Sequence, residues 1–201
     1  MTNVLVIDSS AGGETSVSRL LVANAVEALK AAHPGATVTR RDLDGDPVPH
    51  LTEGVIAGVR AEPTTEAEHG ARALSDTLVA ELKAADVIVI GAPMYNFSVP
   101  TTLRSWFDHV LRAGVTFSYT EAGPKGLLTG KKAIVVVSRG GLYSEGPAQA
   151  LDFQEPYLRH LLGFIGIEDV TFVRAEKIGY GPEAREAALV SARAEIAAAA
   201  A

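Results

Sequence analysis

Short runs of apolar, largely β-branched residues constrain the fold of this chain more than any other feature of its sequence. They are continuous rather than alternating, and they lie at positions 4–7, 87–90, 133–137 and 170–173, with a weaker run at 36–39. Continuous apolarity is typical of strands buried on both faces. Segments with helical periodicity separate the runs, at 18–32, 70–84, 100–111, 151–163 and from 182 to the end. This alternation predicts an α/β fold built on a parallel sheet.

Proline and glycine mark the ends of these elements. Pro34 and Gly35 follow the first helical segment, and Pro100 and Pro182 stand at positions suited to the first turn of a helix. The stretch 42–65 is predicted to hold a short helical piece, as a lid or as part of a crossover. No long linker is visible, and 201 residues with 47% hydrophobic content suffice for one core. We therefore expect a single domain over residues 1–201.

The net charge, the length of the apolar runs and the cysteine content exclude several classes of function. The net charge of −6 comes from dispersed acidic residues without a basic stripe, so we expect no nucleic-acid partner. No apolar run approaches the roughly 20 residues that cross a bilayer and no charged leader precedes the first strand, so we expect a soluble, cytoplasmic protein with no membrane partner. Cysteine is absent and the five histidines lack metal-site spacing, so no metal is expected. Redox chemistry would require an organic cofactor.

The segment after the apolar run at 87–90 combines a strand end, a polar and aromatic loop, and Pro100 as a helix start. Its loop residues are Met94, Tyr95, Asn96 and Phe97. In parallel α/β sheets, ligands bind at the carboxyl ends of the strands. This loop offers backbone amides, an amide side chain and two aromatic rings there. Such a set suits a flat ring with hydrogen-bonding edges, and we interpret the loop as a flavin site.

Hydroxyl groups and glycines fill the turn after the first strand, from Ser9 to Ser18. The turn opens a helix, whose free N–H groups and positive dipole end would suit a phosphate monoester. An ordinary N-cap is the alternative, since serine and threonine begin many helices. Glu14 weighs against a phosphate because its carboxylate must point away from one. No GxGxxG motif follows this strand, so the pattern favours a mononucleotide over a dinucleotide.

The strand at 133–137 is followed by a turn with two glycines, made of Ser138, Arg139, Gly140 and Gly141. Paired glycines let the backbone approach a ligand closely, and Arg139 is predicted to stabilise the negative charge that develops on a reduced flavin. A glycine turn with a solvated arginine is the alternative. The position at the end of a strand, shared with the two loops above, favours the cofactor interpretation.

Two other features bear on function. Residues 117–120 alternate in the manner of a short hairpin strand, which would line a pocket wall or contact a partner subunit. The sequence has no GxSxG elbow, and Asp108 and His109 are helix neighbours that do not face each other. A hydrolase is therefore disfavoured, because a nucleophile, a base and a metal are all missing.

Motifs spread over nearly the whole chain form a combination that is specific for one family. They are Met94-Tyr95-Asn96-Phe97, Arg112 to Phe117, Gly130-Lys131-Lys132-Ala133, Ser138-Arg139-Gly140-Gly141, Gly163 to Ile167 and Tyr180-Gly181-Pro182. This combination resembles the FMN-dependent NADH-azoreductases. The resemblance implies a flavodoxin-like, doubly wound sheet of five parallel strands in the order 2-1-3-4-5, with helices on both faces.

The resemblance also implies a homodimer that binds FMN noncovalently at each subunit interface. The phosphate would contact Ser10, Ser16, Val17 and Ser18. The isoalloxazine ring would contact Met94, Tyr95, Asn96 and Phe97, and its pyrimidine side would contact Ser138, Arg139, Gly140 and Gly141. Tyr119 and Phe164 match positions that shape the substrate pocket, with Phe164 contributed by the other subunit.

The activity that the resemblance implies is two-electron, ping-pong hydride transfer. NADH or NADPH would give a hydride to N5 of FMN and leave, and a quinone or azo compound would then take the hydride from the same face. FMN carries the chemistry, so no side chain is predicted to be catalytic. A flavodoxin-type electron carrier, which passes single electrons to protein partners, is the alternative. Such a carrier would dock its partners through an acidic face, and the arginines interspersed among the acidic residues argue against one.

Overall fold

A computed structural model describes residues 1–201 of the protein. Its strands are β1 (Asn3–Asp8), β2 (Thr37–Asp42), β3 (Val87–Pro93), β4 (Phe117–Thr120), β5 (Gly123–Gly126), β6 (Lys132–Ser138) and β7 (Asp169–Ala175). Five of them form one parallel sheet in the order β2-β1-β3-β6-β7. The predicted parallel α/β sheet is confirmed. Strands β4 and β5 form a separate antiparallel hairpin.

The register of the sheet brings the ends of its central strands to one edge. Asp8 at the end of β1 pairs with Gly91 of β3, and Pro93 at the end of β3 pairs with Ser138 at the end of β6. Every residue of β3 is buried, as its continuous apolar sequence predicts. The loops that follow β1, β3 and β6 therefore leave the sheet side by side.

Six helices connect and cover the strands. They are α1 (Val17–Ala32), α2 (Ile56–Arg60), α3 (Glu66–Ala84), α4 (Thr101–Val110), α5 (Glu155–Phe164) and α6 (Pro182–Ala200). One buried apolar cluster joins side chains of α1 and α6 to the sheet, and a second joins side chains of α3, α4 and α5 to it. None of the helices combines the length and the apolarity that a membrane span requires.

Two helices begin four residues away from the expected position. Helix α3 begins at Glu66 rather than at residue 70, because Thr65 and Glu68 form a capping box that stabilises an earlier first turn. Helix α5 begins at Glu155 rather than at residue 151. The residues before it form a 3₁₀ turn, Pro147–Leu151, and the Asp152 carboxylate accepts hydrogen bonds from the next backbone N–H groups. This side chain starts the helix in place of the preceding apolar residues.

The crossover over residues 42–65 contains the short helix α2, as predicted, and it is fastened to α3 and α4. Arg60 donates to the carbonyl groups of Asp108 and Leu111 at the end of α4. The Nε2 atom of His109 lies 3.0 Å from the carbonyl oxygen of Pro49. These contacts hold the crossover against the helices, which argues against a mobile lid.

The hairpin packs on the end of α5 through an unusually close backbone contact. The sequence predicted β4, but it did not predict β5. A Cβ atom on Gly126 would lie 2.1 Å from the backbone nitrogen of Gly166, so only glycine fits at this position. The Leu128 N–H donates to the Ile165 carbonyl at 2.8 Å beside this contact.

Candidate functional site

Two hydrogen-bonded links bring the three predicted loops together at the carboxyl edge of the sheet. The Tyr95 hydroxyl accepts a hydrogen bond from the backbone N–H of Ala11 at 3.1 Å and lies 3.4 Å from Ser10 Oγ. The backbone N–H of Met94 donates to the Ser138 carbonyl at 2.9 Å. The loop after β3 is therefore held between the loops after β1 and β6.

The loop after β1 ends in the first turn of α1, where hydroxyl groups and free backbone donors gather. Ser16 is the N-cap of α1, since its Oγ accepts from the Arg19 N–H at 3.3 Å, and it lies 3.1 Å from Ser18 Oγ. The N–H groups of Val17 and Ser18 have no backbone partner in the chain, as in the first turn of most helices. Ser10 and Ser18 are buried. Ser16 caps only the Arg19 N–H, so the N–H groups of Val17 and Ser18 stay free and suit a phosphate group.

Arg19 braces this loop. Its Nε and Nη2 donate to the Ser10 carbonyl at 3.1 and 2.9 Å, and its guanidinium pairs with both carboxylate oxygens of Asp42 at 2.8 and 2.6 Å. The hydrogen bonds from Arg19 are the main reason why the pKa of Asp42 falls to about 2. Glu14 lines an open cavity with Arg19 and Asp42 rather than with the serines. Glu14 therefore lies on the arginine side of the loop.

The loop after β3 closes into a tight two-residue turn. Tyr95 and Ser98 exchange both backbone hydrogen bonds, at 3.0 and 3.1 Å, and Asn96 and Phe97 have φ angles of 48° and 70°. Positive φ at both central residues is the mark of a type I′ turn, and it is costly for most residues other than glycine and asparagine. Both central residues are exposed. Backbone strain of this kind collects at binding and catalytic sites.

The loop after β6 offers two further backbone donors. The carbonyl groups of Gly140 and Gly141 accept hydrogen bonds from Gly179 and Lys177 at 3.0 and 2.9 Å, but the N–H groups of the two glycines have no backbone partner. Two neighbouring N–H groups without a backbone partner can both donate to one ligand. They suit the carbonyl and nitrogen acceptors on the edge of a flavin ring.

The Arg139 side chain lies elsewhere, and the role predicted for its guanidinium is wrong. Arg139 is fully buried, and its guanidinium pairs with Asp152 at 2.9 Å and with Glu176 at 3.1 Å. Its Nε donates to Gln154 Oε1 at 3.0 Å. The solvated-arginine alternative is wrong for the same reason. A guanidinium held by two carboxylates is already neutralised, so Arg139 stabilises the loop and does not face a ligand.

Tyr119 and Phe164 lie together, apart from the three loops. Phe117 packs against both rings, with centroid distances of 5.5 Å to Tyr119 and 4.6 Å to Phe164. Tyr119 is 74% exposed. Phe164 lines an open cleft of about 690 Å³ between the hairpin and α5, with Arg159 and His160 beside it. No hydrogen bond or aromatic contact joins Tyr119 or Phe164 to the three loops within one chain.

Comparison with known proteins decides what this arrangement of loops belongs to. A family model for the flavodoxin-like fold matches residues 2–200. An FMN-dependent NADH:quinone oxidoreductase of Hyphomonas neptunium is 66% identical over 197 residues, which cover 98% of this chain and 95% of that protein. The chain belongs to the flavodoxin-like family of FMN-dependent NADH:quinone oxidoreductases.

Solved structures within this family share the whole fold. An azoreductase from Bacillus anthracis has a TM-score of 0.91 and 33% identity, and the match covers 100% of this chain and 99% of that one. An FMN-dependent NADH-azoreductase from Bacillus anthracis, solved in complex with FMN, has a TM-score of 0.89 and 27% identity, with 100% and 98% of the two chains covered. The resemblance to azoreductases is confirmed.

The donors of this family member fit FMN. A helix start with free N–H groups suits the phosphate, and the type I′ turn of the neighbouring loop carries the exposed residues Asn96 and Phe97. The paired glycine N–H groups suit the edge of the ring. No group of three or more histidine, aspartate or glutamate side chains is arranged to hold a metal ion.

Residues that brace the loops of this family member were not predicted from the sequence. Arg19, Gln154 and Glu176 contact loop atoms through side chains that come from α1, from the start of α5 and from the end of β7. Only Arg19 left a signal, since it stands three residues after an N-cap serine. The other two lie far from the loops in the sequence and carry no motif.

Proposed function

We propose that this chain is an FMN-dependent NADH oxidoreductase that reduces quinones and azo compounds in two-electron steps. The observation that carries the proposal is the convergence of three loops at one edge of the sheet, each with free donors. The 66% identity to an FMN-dependent NADH:quinone oxidoreductase supports it. NADPH as an alternative to NADH stays a prediction, because no clamp for a 2′-phosphate is apparent.

Each loop has a separate binding task in this proposal. The phosphate contacts Ser10, Ser16, Val17 and Ser18. The ring contacts Met94, Tyr95, Asn96 and Phe97 on one side and Ser138, Gly140 and Gly141 on the other. Arg139 contributes through its backbone and by holding the loop. The support is the hydrogen-bonded contact between the first two loops and the unpaired glycine N–H groups.

The protein contributes orientation and electrostatics to the reaction. Bound FMN would supply two-electron hydride transfer from NADH to the acceptor, and the three loops would hold it. The glycine N–H pair would stabilise negative charge at the pyrimidine edge, because backbone donors fixed before the reaction need no reorganisation. The Asn96 amide and the Phe97 ring would fix the plane of the ring at the turn. The site has no acid–base pair, so water supplies the proton that completes reduction of the acceptor.

A homodimer completes the site in this proposal. Tyr119 and Phe164 do not reach the loops of their own chain, so they would line the cleft of the partner subunit. Exposed aromatic side chains around the site support an interface, since Phe97 is 46%, Phe153 is 60% and Tyr119 is 74% exposed. Sedimentation of the protein tests it, and a monomer at micromolar concentration would contradict it.

The finer features of the scaffold belong to the same proposal. We propose one doubly wound domain, with the five parallel strands in the order 2-1-3-4-5 when the hairpin is left out of the count and with helices on both faces. The two apolar clusters support it. Val4 of β1 belongs to the cluster with α1 and α6, and Leu5 belongs to the cluster with α3, α4 and α5. Because successive strand residues point to opposite faces of a sheet, the two clusters support helices on both faces. A cytoplasmic location, and the absence of nucleic-acid and membrane partners, stay predictions.

Steady-state oxidation of NADH by the FMN-loaded protein tests the activity. We expect turnover with a simple benzoquinone and slower turnover with an azo dye. Inactivity with both acceptors, in a preparation that retains FMN, would refute the proposal. An electron carrier would instead reduce a protein partner such as cytochrome c and leave both small acceptors untouched.

A further inference from the structure

We propose that the buried ion pair of Arg139 and Glu176 is a positioning device for the flavin site, which turns the N–H groups of Gly140 and Gly141 toward the ring. Neither side chain would touch the cofactor. The inference rests on the proposed function, and it assigns a role to two charged residues that the binding loops alone leave unexplained.

Arg139 is the centre of a buried polar cluster. Its Nη1 lies 3.1 Å from Glu176 Oε1, its Nη2 lies 2.9 Å from Asp152 Oδ2, and its Nε donates to Gln154 Oε1 at 3.0 Å. The Nε2 of Gln154 in turn donates to the Ala92 carbonyl at 3.0 Å. Ala92 lies in β3 just before the loop at Met94, so one cluster fixes the ends of β3 and β6 relative to each other.

Glu176 collects donors from the loop that follows the glycines. Its Oε1 accepts from the backbone N–H groups of Tyr143 and Ser144 at 2.8 and 3.0 Å, and its Oε2 accepts from the Ser144 hydroxyl. Burial alone would raise the pKa of Glu176, but these hydrogen bonds and the Arg139 charge hold it below its ordinary value. The carboxylate therefore stays ionised and ties β7 to the loop after β6.

The backbone between Arg139 and Gly141 is held from one side only. The carbonyl groups of Arg139, Gly140 and Gly141 accept from the N–H groups of Ile178, Gly179 and Lys177 at 3.2, 3.0 and 2.9 Å. Lys177 has a φ of 60°, which is costly for lysine. The segment 177–179, whose N–H groups donate to these carbonyls, is therefore strained, and it directly follows Glu176.

These carbonyl contacts also fix the direction in which the N–H groups of Gly140 and Gly141 point. A trans peptide places its C=O and the following N–H on opposite sides. The N–H of Gly140 therefore points away from Ile178, and the N–H of Gly141 points away from Gly179. Both face the opposite side of the loop, where they have no backbone partner in the chain. Releasing Glu176 from the loop would loosen the segment that imposes this direction.

The test compares two ion pairs that each contain a largely buried glutamate. Glu176→Ala removes the proposed device. Glu81→Ala removes the pair between Glu81 and Arg41, whose oxygens and nitrogens lie 2.6 and 2.8 Å apart at the edge strand β2, which β1 and β3 separate from the strand that precedes the glycine loop, β6. The side chains of Glu176 and Glu81 are 10% and 19% exposed. We expect both variants to lose melting temperature, but only Glu176→Ala to weaken FMN binding, by about tenfold, since donors that lose their orientation lose their hydrogen bonds.

Two measurements decide between the outcomes. FMN affinity is measured by quenching of flavin fluorescence, and the amide resonances of Gly140 and Gly141 are followed by NMR in the FMN-free protein. We expect Glu176→Ala to shift both resonances and Glu81→Ala to shift neither. Equal FMN affinity in the two variants, or unshifted glycine resonances in Glu176→Ala, would overturn the inference.

A milder variant covers the case in which Glu176→Ala does not fold. Glu176→Gln keeps an acceptor oxygen but loses the charge, and we expect it to fold and to bind FMN a few times more weakly than the wild type. Wild-type affinity with unshifted glycine resonances would overturn the inference. If the wild type itself takes up no FMN, the proposed function fails, and the glycine resonances still test the positioning.

Discussion

The Tyr95 hydroxyl accepts a hydrogen bond from the Ala11 N–H at 3.1 Å and so ties the loop after β3 to the loop after β1. The phosphate and ring ends of the proposed FMN site therefore depend on one phenol group. Tyr95→Phe keeps the ring and removes this link. We expect a loss of FMN affinity of about 0.5 to 1.5 kcal/mol, the usual net value of one hydrogen bond. Fluorescence titration measures it, and unchanged affinity would contradict the link.

The turn at Asn96 separates backbone strain from side-chain contact. Asn96→Gly accepts the φ of 48° without cost but loses the amide, whereas Asn96→Ala loses the amide and adds roughly 1 kcal/mol of backbone strain. We expect both variants to bind FMN more weakly and only Asn96→Ala to unfold at a lower denaturant concentration. Equal FMN affinity in the wild type and Asn96→Gly would exclude the amide from the site.

Ser16 combines an N-cap with a proposed phosphate contact, and Thr65 is an N-cap alone. Ser16→Ala and Thr65→Ala should each cost about 1 kcal/mol of stability in the FMN-free protein. Only Ser16→Ala should also weaken FMN binding, by about 1.5 to 3 kcal/mol, because its bond would be to a charged group. Urea unfolding with and without FMN measures both effects. Equal FMN stabilisation in the two variants would remove Ser16 from the site.

Two glycines test the hairpin as a wall of the acceptor cleft. A Cβ on Gly126 would lie 2.1 Å from Gly166 N, and one on Gly58 would lie 2.2 Å from the Glu68 carbonyl oxygen. Gly126→Ala and Gly58→Ala should both destabilise the protein by roughly 1 to 3 kcal/mol. Only Gly126→Ala should raise KM for the quinone, because it displaces β5 and with it the paired strand β4, which carries Tyr119. The same KM in both variants would show that the hairpin does not contact the acceptor.

The lowered pKa of Asp42 predicts that the folded protein loses stability in acid. Its pKa in the folded protein is about 2, against an ordinary value of 3.8, chiefly because of the hydrogen bonds from Arg19. The folded state binds the proton more weakly, so the stabilisation is complete above pH 3.8 and is lost as the pH falls toward 2. Asp42→Asn should flatten the fall in stability over this range. Urea unfolding of the FMN-free protein at several pH values checks it, and parallel curves for the two proteins would contradict it.

The sequence was most informative where local pattern and burial agree. The continuous run in β3 predicted a buried strand, and the hydroxyl-rich and glycine-rich turns predicted binding loops at strand ends. The capping box of Thr65 and Glu68 was visible in the sequence and would have corrected the start of α3. Strand β5, in contrast, begins with Gly123 and Pro124, which have low strand propensity, and it forms only because β4 and α5 hold it.

Arg139 shows why the rest could not be predicted. An arginine beside two glycines resembles a solvated loop residue or a ligand contact. Its actual partners Asp152 and Glu176 come from other elements, and nothing local marks them. Buried ion pairs depend on tertiary geometry rather than on spacing. The proposed binding residues therefore follow from the sequence, whereas the residues that hold their loops in place do not.

Anaerobic titration of the FMN-loaded protein with NADH tests the central claim most directly. The measurement follows the visible flavin absorbance as NADH is added in steps. The proposed function predicts that the bands bleach in one phase and are fully bleached at one NADH per FMN, and that a quinone then restores them. Failure to bind FMN, or flavin bands that persist in excess NADH, would contradict it.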